Sequence, residues 1–533
     1  MNFIESRDGH LWDGAARWIG TGTNLPGQAK WGHAAAPDDP AVARALVADL
    51  VSHGVNCVRV GGADAFDYPV GIWSGASRDV RWLNRFDVTV SECASQGARI
   101  AFVFDQAALV LSKVGLTLKD LRKPGPAREA LKAHYGWFWD HVNTITGVRY
   151  GDDPVFLMFE PFNERRHATD WGAADPAAEK SLNDELRAAI KTMAPHVIYL
   201  AGQCNYVTAG SYDATDATDM HLYAARNPSG YSPNPAPGKP AKIVDDIWIR
   251  RSTIGNMAGS TYGNAHSWSW GHKHVDKPAG HNEVGVGVSR HHLGAFFPIV
   301  GVLGALHDMD WMFSFCWRPS QGSYAQRPGD LTVEGYPCLV YAHEIISRLR
   351  AWGGIAPMPV NSVPIMDEVK APEWRSVGIG PNHSYAMRRM VVDRLATAAP
   401  IPANTNTVCV QSSSGVEWDF ETGNVKVSTP TVSMIAGMVP ALCRVGPMTL
   451  DRADDWLGIA CWISDDGSTL GQGASSLYCW RDSLPAGFEW TGPGEYTGWG
   501  TGANTNMPEG LTVRLDGERS AVLKPQRPKV VLP

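Results

Sequence analysis

The sequence has no run of about 18 apolar residues, so no helix that crosses a membrane is expected. No two cysteines stand in a Cys-x-x-Cys spacing, which removes the commonest sequence sign of a zinc or iron–sulfur ligand set. The nine cysteines cannot all pair, and Cys57, Cys316, Cys409 and Cys461 sit inside apolar runs, where a thiol behaves as a small hydrophobe. Surplus positive charge is also missing. The formal net charge is −7, so neither nucleic acid nor another polyanion is an expected partner. The opening Met1-Asn2-Phe3-Ile4-Glu5 has no basic segment followed by an apolar one, so no signal peptide is expected here. Export to the medium or periplasm is the expectation if a leader was removed, and a cytoplasmic location otherwise. A Gly-rich phosphate turn is lacking too. Gly20-Thr21-Gly22-Thr23-Asn24 runs into a loop rather than a helix, which disfavours dinucleotide binding. No cofactor is expected.

What is present is an apolar fraction of 44% spread over 533 residues, too long a chain for one core. Tryptophan is abundant at 21 residues. Most of these belong in cores, but exposed indole faces are natural stacking surfaces for sugar rings. Asp8-Gly9 between two short strand-like runs predicts an N-terminal β-hairpin. Strand and helix patterns then alternate. Strands are expected at 18–22, 55–60, 99–105, 155–160, 197–202, 218–223, 278–283 and 311–317, with helices at 40–53, 83–96, 128–143, 177–193, 292–307 and 341–349. That alternation predicts an α/β chain folded as a (β/α)8 barrel over residues 1–354. Beyond Gly354 helical periodicity stops and short strands with turn signals follow, predicting a β-sandwich-like accessory domain over 355–533.

Two of the expected strands end in acids. Val155–Phe159 leads through Glu160-Pro161-Phe162 to Asn163-Glu164, and Pro278-Ala279-Gly280 leads to His281-Asn282-Glu283. Strand C-termini converge on one face of a barrel, so Glu164 and Glu283 are expected to meet there. Hydrolysis of a glycosidic bond with retention needs such a pair, a general acid/base and a nucleophile about 5–5.5 Å apart. Glu164 takes the first role in this reading and Glu283 the second. Asn163 would hold a sugar hydroxyl. Arg59, closing the second strand, would favour an ionised nucleophile. His221 and Tyr223 would orient the carboxylates, and Trp317 would form an aromatic floor. A long Pro/Gly/Asn-rich segment, 227–277, is expected to run over the active face, where Trp268 or Trp270 would stack on sugar. Its histidines, His266, His272 and His274, lack a completing carboxylate or cysteine, so no metal site is expected.

The order of these elements resembles the clan A glycoside hydrolases, family 5 above all, over residues 15–350. Val55-Asn56-Cys57-Val58-Arg59 looks like that family's G-x-N-x-V-R strand. Leu83-Asn84-Arg85-Phe86-Asp87 resembles its L-D-R-F-D helix start, and His141-Val142-Asn143-Thr144-Ile145-Thr146-Gly147 with Asp152-Asp153-Pro154 resembles the approach to its Asn-Glu strand. Glu417–Asp419 through Val427–Pro430 resembles a β-domain that often follows such barrels. The resemblance implies a retaining hydrolase of cellulase or mannanase type acting on a β-linked polysaccharide or oligosaccharide. Departures at Gly61-Gly62, Asp105-Gln106, Phe162 and Arg165-Arg166 leave β-galactosidase or agarase specificity as an alternative. A barrel that binds glycan without cleaving it is the alternative outside enzymology.

Overall fold

The computed structural model describes residues 1–26, 35–37, 39–61, 81–104, 107–164, 170–173, 175–202, 214–224, 274–286, 293–317, 337–352, 354–363 and, beyond these, strands and short connections between Arg389 and Gln526. Strands β1 (Ile4–Arg7) and β2 (His10–Asp13) pair antiparallel around Asp8 and Gly9, whose φ values of 51° and 74° are those of the tight hairpin the Asp-Gly pair predicts. The short β3 (Ala16–Arg17) completes this small sheet.

Eight parallel strands follow: β4 (Gly20–Pro26), β5 (Cys57–Gly61), β6 (Arg99–Val103), β7 (Phe156–Glu160), β8 (Ile198–Tyr199), β9 (Thr218–Ala224), β10 (Ala279–Val286) and β11 (Trp311–Ser314). Their spatial order, β8-β7-β6-β5-β4-β11-β10-β9, is that of a (β/α)8 barrel. The ladder's ends are tied just ahead of β9, where Asp216 N donates to Tyr199 O (3.0 Å) and Tyr199 N donates to Asp216 Oδ2 (2.9 Å).

The helices are α1 (Pro40–Ser52), α2 (Arg81–Gln96), α3 (Ala107–Lys113), α4 (Pro126–Trp139), α5 (Pro176–Met193), α6 (Leu293–Leu306) and α7 (Pro337–Trp352). Local chemistry sets their ends. Asp39 caps α1 by accepting from Ala41 N (2.8 Å), with Pro40 in the first turn, where its missing N–H costs nothing. Asp175 and Pro176 repeat the device at α5. Helix α3 was not among the expected elements.

The barrel interior is a small apolar cluster of its own: Cys57, Ala101, Leu157, Met158, Ile198, Leu200, Ala217, Trp311 and Phe313, joined by Ile4 and Leu11 from the hairpin. The hairpin therefore plugs the end of the barrel at the strand N-termini. It is fastened there by buried Asp310, which accepts from His10 Nδ1 (3.0 Å), Arg17 Nε (3.2 Å) and Leu11 N (3.4 Å). Glycine is required where the big rings sit. A Cβ at Gly280 would stand 2.3 Å from the Trp311 ring, and one at Gly22 would stand 2.3 Å from Phe313.

Beyond the barrel lies a nine-stranded sheet running through Val408–Gln411, Val416–Asp419, Asn424–Ser428, Val432–Met438, Trp456–Ile463, Thr469–Ser475, Glu495–Gly502, Pro485–Glu489 and Lys524–Gln526. Cys443–Val445, Met448–Leu450, Thr512–Leu515 and Arg519–Val522 form a smaller sheet. The expected sandwich is met only in its β content. Among the described residues the large sheet lies against α6 and α7, through Val432–Met438, Trp456–Ile463 and Thr469–Ser475, so helices form its partner layer. This explains why α6 is apolar all round: one side faces barrel strands β10 and β11 and another faces the sheet. No described helix is long and apolar enough to cross a membrane. Cys57 and Cys316 are buried thiols, as expected of cysteines in apolar runs, and Cys93 on α2 is buried too.

Candidate active site

Arg59 projects from β5 and is almost fully buried, yet its guanidinium is satisfied on every side. Nε and Nη2 grip Glu160 at 2.8 and 2.9 Å, a bidentate pair. Nη1 donates to Glu283 Oε1 (2.7 Å) and Asn24 Oδ1 (2.8 Å), and Nη2 also donates to Asn163 Oδ1 (2.9 Å). Burial works against the charge, but the Glu160 and Glu283 carboxylates outweigh it and hold the guanidinium above its ordinary pKa. One side chain thus ties the ends of β4, β5, β7 and β10 together.

The two expected acids do meet. One oxygen of Glu164, one of Glu283 and a ring nitrogen of His221 lie within 4.8 Å of one another. His221 Nδ1 stands 2.7 Å from Glu164 Oε1 and 3.3 Å from Glu283 Oε2. Burial alone would lower the His221 imidazole, but the Glu283 charge and the hydrogen bond to Glu164 push it up to about 8. The two acids differ in access: the Glu164 side chain is 42% exposed and that of Glu283 only 7%. Glu164 has a φ of 49°, a left-handed backbone that a non-glycine residue adopts at a cost of about 1 kcal/mol or more.

Glu283 owes its aim to an irregularity of β10. Opposite β9, His281 pairs with Met220 and Glu283 with His221, so Asn282 has no opposite number on that strand. The extra residue is a β-bulge, a device that re-aims side chains at the rims of barrels. Asn282 donates through Nδ2 to Glu160 Oε1 (2.6 Å) and accepts from Trp311 Nε1 in the barrel centre.

Of the expected site residues, Arg59, Asn163, Glu164, His221 and Glu283 come together. Tyr223 lies in β9 beside them in sequence, but its side chain is outside the described residues, as are Trp268, Trp270, His266, His272 and Arg165-Arg166. Trp317 does not form the floor of the site. Its indole is fully buried, donates through Nε1 to Asp49 Oδ2 on α1 (3.3 Å) and packs against His53 and His343, each 5.6 Å away between ring centres. The expectation ran the eighth strand through to residue 317 and placed Trp317 at its C-terminal end, on the active face. The strand ends at Ser314, short of that position. Near Glu283 stands Cys316 instead, whose thiol burial pushes up and the Glu283 charge pushes further.

Three buried polar residues were missed: Glu160, Asp219 and Asn282. Glu160 had a legible signal. An acid closing an apolar run such as Val155–Phe159 needs a cation to offset its burial. Glu160, Asp219 and His221 also offer ligand atoms within 4.8 Å of one another. Arg59 already holds both Glu160 oxygens, so a metal cation there would be set against a guanidinium.

No protein-family model matches the sequence, and neither does any curated protein. Its structural neighbours are glycoside hydrolases. The fold is similar to that of a glycoside hydrolase family 5 mannosidase from Rhizomucor miehei (13% identical, covering 66% of this chain and 98% of that one, TM-score 0.47). It is similar to an endo-β-1,4-mannanase from Thermotoga petrophila (12% identical, 86% and 98% covered, TM-score 0.46). It is also similar to an endo-1,4-β-mannanase from Rhizomucor miehei (16% identical, 59% and 90% covered, TM-score 0.43).

Proposed function

We propose that this chain is a retaining glycoside hydrolase that cleaves β-linked polysaccharide or oligosaccharide by double displacement, with residues 1–354 as the catalytic unit and 355–533 as an accessory β-unit. The observation that carries the reading is the approach of Glu164 and Glu283 at the C-terminal rim of the barrel, with oxygens no more than 4.8 Å apart. Retaining enzymes hold their carboxyl groups about 5–5.5 Å apart, while inverting enzymes leave room for a water at about 6.5–9.5 Å.

In this mechanism exposed Glu164 gives its proton to the glycosidic oxygen as the C–O bond breaks. The Glu283 oxygen attacks the anomeric carbon, forming an ester-linked glycosyl-enzyme. Glu164, now a carboxylate, takes a proton from water. That water attacks the same carbon and releases Glu283. His221, touching both acids, orients them and can exchange protons with Glu164. Asn163, tethered by Arg59, presents its amide N–H toward a sugar hydroxyl. No step calls for a cofactor.

For specificity we take cellulase- or mannanase-type substrates first and β-galactoside or agarose-type substrates second. A panel of aryl β-glycosides and polysaccharides separates them. On the substrate found, Glu283→Ala loses turnover and azide restores it by giving an α-glycosyl azide. Undiminished activity in that variant refutes the assignment.

A further inference from the structure

Behind the pair that faces substrate lies a second pair of carboxyl groups, on Glu160 and Asp219, which the double displacement does not use. Asp219 sits on β9 two residues before His221, hence on the same face, and Glu160 ends β7. Both are buried, and one oxygen of each falls within 4.8 Å of the other. A single amide stands between them. Indole N–H can only donate, so Trp311 fixes which end of Asn282 is oxygen. The amide's NH2 is thereby turned to the acids, 2.6 Å from Glu160 Oε1 and 3.4 Å from Asp219 Oδ2. Among the described residues, the charged groups facing Asp219 include Glu160 from β7, Arg59 from β5, Glu283 from β10 and His221 from its own strand. Arg59 already divides its charge between Glu160 and Glu283. An ionised Asp219 would add a negative charge beside Glu160 and Glu283, where Arg59 is already bound to both of those acids and His221 to Glu164 and Glu283.

We propose that Asp219 is held as a neutral carboxylic acid at neutral pH and acts as a positioning residue, its proton keeping Glu160, Arg59 and Glu283 aligned for nucleophilic attack. The electrostatics agree with the geometry. Burial first, and the Glu160 charge second, push the Asp219 carboxyl up to about 8, with His221 and Arg59 pulling only partly back. Loss of the proton would set Asp219 in competition with Glu160 and Glu283 for Arg59. The kinetic half of this proposal rests on the glycosidase reading, whereas the protonation half does not.

Asp219→Asn tests both halves, because the amide copies the shape and hydrogen bonding of the neutral acid and cannot ionise. The first readout is thermal melting of variant and wild type from pH 5 to 9.5, which needs no substrate. A folded-state pKa raised from about 3.9 to about 8 means that the wild type holds a proton the unfolded chain has released, so its stability falls as pH rises through that window. The Tm of the variant relative to wild type should therefore climb with pH and level off above about pH 8. The second readout is the ratio of variant to wild-type kcat on an aryl glycoside, expected to rise about tenfold from pH 7 to pH 9 as the wild type loses the proton. A Tm difference constant with pH, or a variant that fails to fold, overturns the neutral acid. A climbing Tm difference with a flat kcat ratio supports the neutral acid and overturns its positioning role. If no glycoside is turned over, the glycosidase reading fails, and melting alone decides the proton.

Discussion

Asp87 and Asp219 are both buried aspartates, one on α2 outside the barrel and one on β9 inside it, and their surroundings drive them in opposite directions. Asp87 is ringed by donors: His141 Nε2 (2.9 Å) and Tyr150 OH (2.7 Å) on Oδ1, Thr144 N (2.9 Å) and Thr144 Oγ1 (2.7 Å) on Oδ2. Burial opposes its charge, but those donors outweigh burial and hold the carboxyl below the usual range. Asp219 faces two carboxylates, Glu160 and Glu283, with Arg59 and His221 only partly offsetting them, and is pushed up to about 8, by burial first and Glu160 next. The difference is between a scaffold and a site. Around Asp87 the polar groups are complementary and fix the 141–150 connection to α2. Among the described residues at the barrel rim, Glu160, Glu164, Asp219 and Glu283 share Arg59 and His221, a crowding of acids that shifts their protonation.

Breaking the cation at the rim gives the largest effect. Arg59→Ala leaves Glu160 and Glu283 buried without their partner, so stability should fall by about 3–5 kcal/mol in denaturant titrations and turnover should vanish. Next comes the scaffold acid. Asp87→Asn gives up half the accepting capacity and should cost about 2 kcal/mol. The sign with pH is opposite to that of Asp219. A depressed folded-state pKa contributes stability that is present above the unfolded value of about 3.9 and lost as pH falls through the folded value. Melting curves should accordingly show Asp87→Asn losing most relative to wild type above about pH 4 and converging with it in stronger acid, with the pH profile of kcat unmoved. Trp317→Phe gives the smallest effect. It removes the bond to Asp49 and part of a buried ring packed on His53 and His343, and should cost about 1–2 kcal/mol with KM unchanged. A large rise in KM would return the indole to the sugar site.

The Asp87–Asp219 contrast could not be read along the chain, but much of the fold and of the site around it could, and the exceptions have physical causes. Asp8-Gly9 announced the hairpin because few other pairs accept two positive φ values. Gly54 and Gly97, with φ of 82° and 80°, closed α1 and α2 where the periodic apolar residues stopped. The meeting of Glu164 with Glu283 followed from barrel topology, since parallel strands must deliver their ends to one rim. Asn282 was invisible because a bulge is a property of two paired strands, and neither strand shows it alone. Glu160 was passed over because its run reads as ordinary buried strand, and its partner Arg59 lies 101 residues away. Trp317 misled because the strand was drawn three residues past the true end of β11. The partner layer of the C-terminal sheet was hidden because α6 and α7 belong in sequence to the barrel.

In the proposed double displacement Glu283 forms a covalent bond to sugar while Glu164 supplies and removes protons. The most direct measurement is mass spectrometry of peptides from enzyme inactivated with the 2-deoxy-2-fluoro glycoside matching its aryl substrate. One glycosyl adduct is expected, on the peptide containing Glu283 and absent from Glu283→Ala. An adduct on another carboxylate, or inversion of the anomeric centre during turnover, would contradict it.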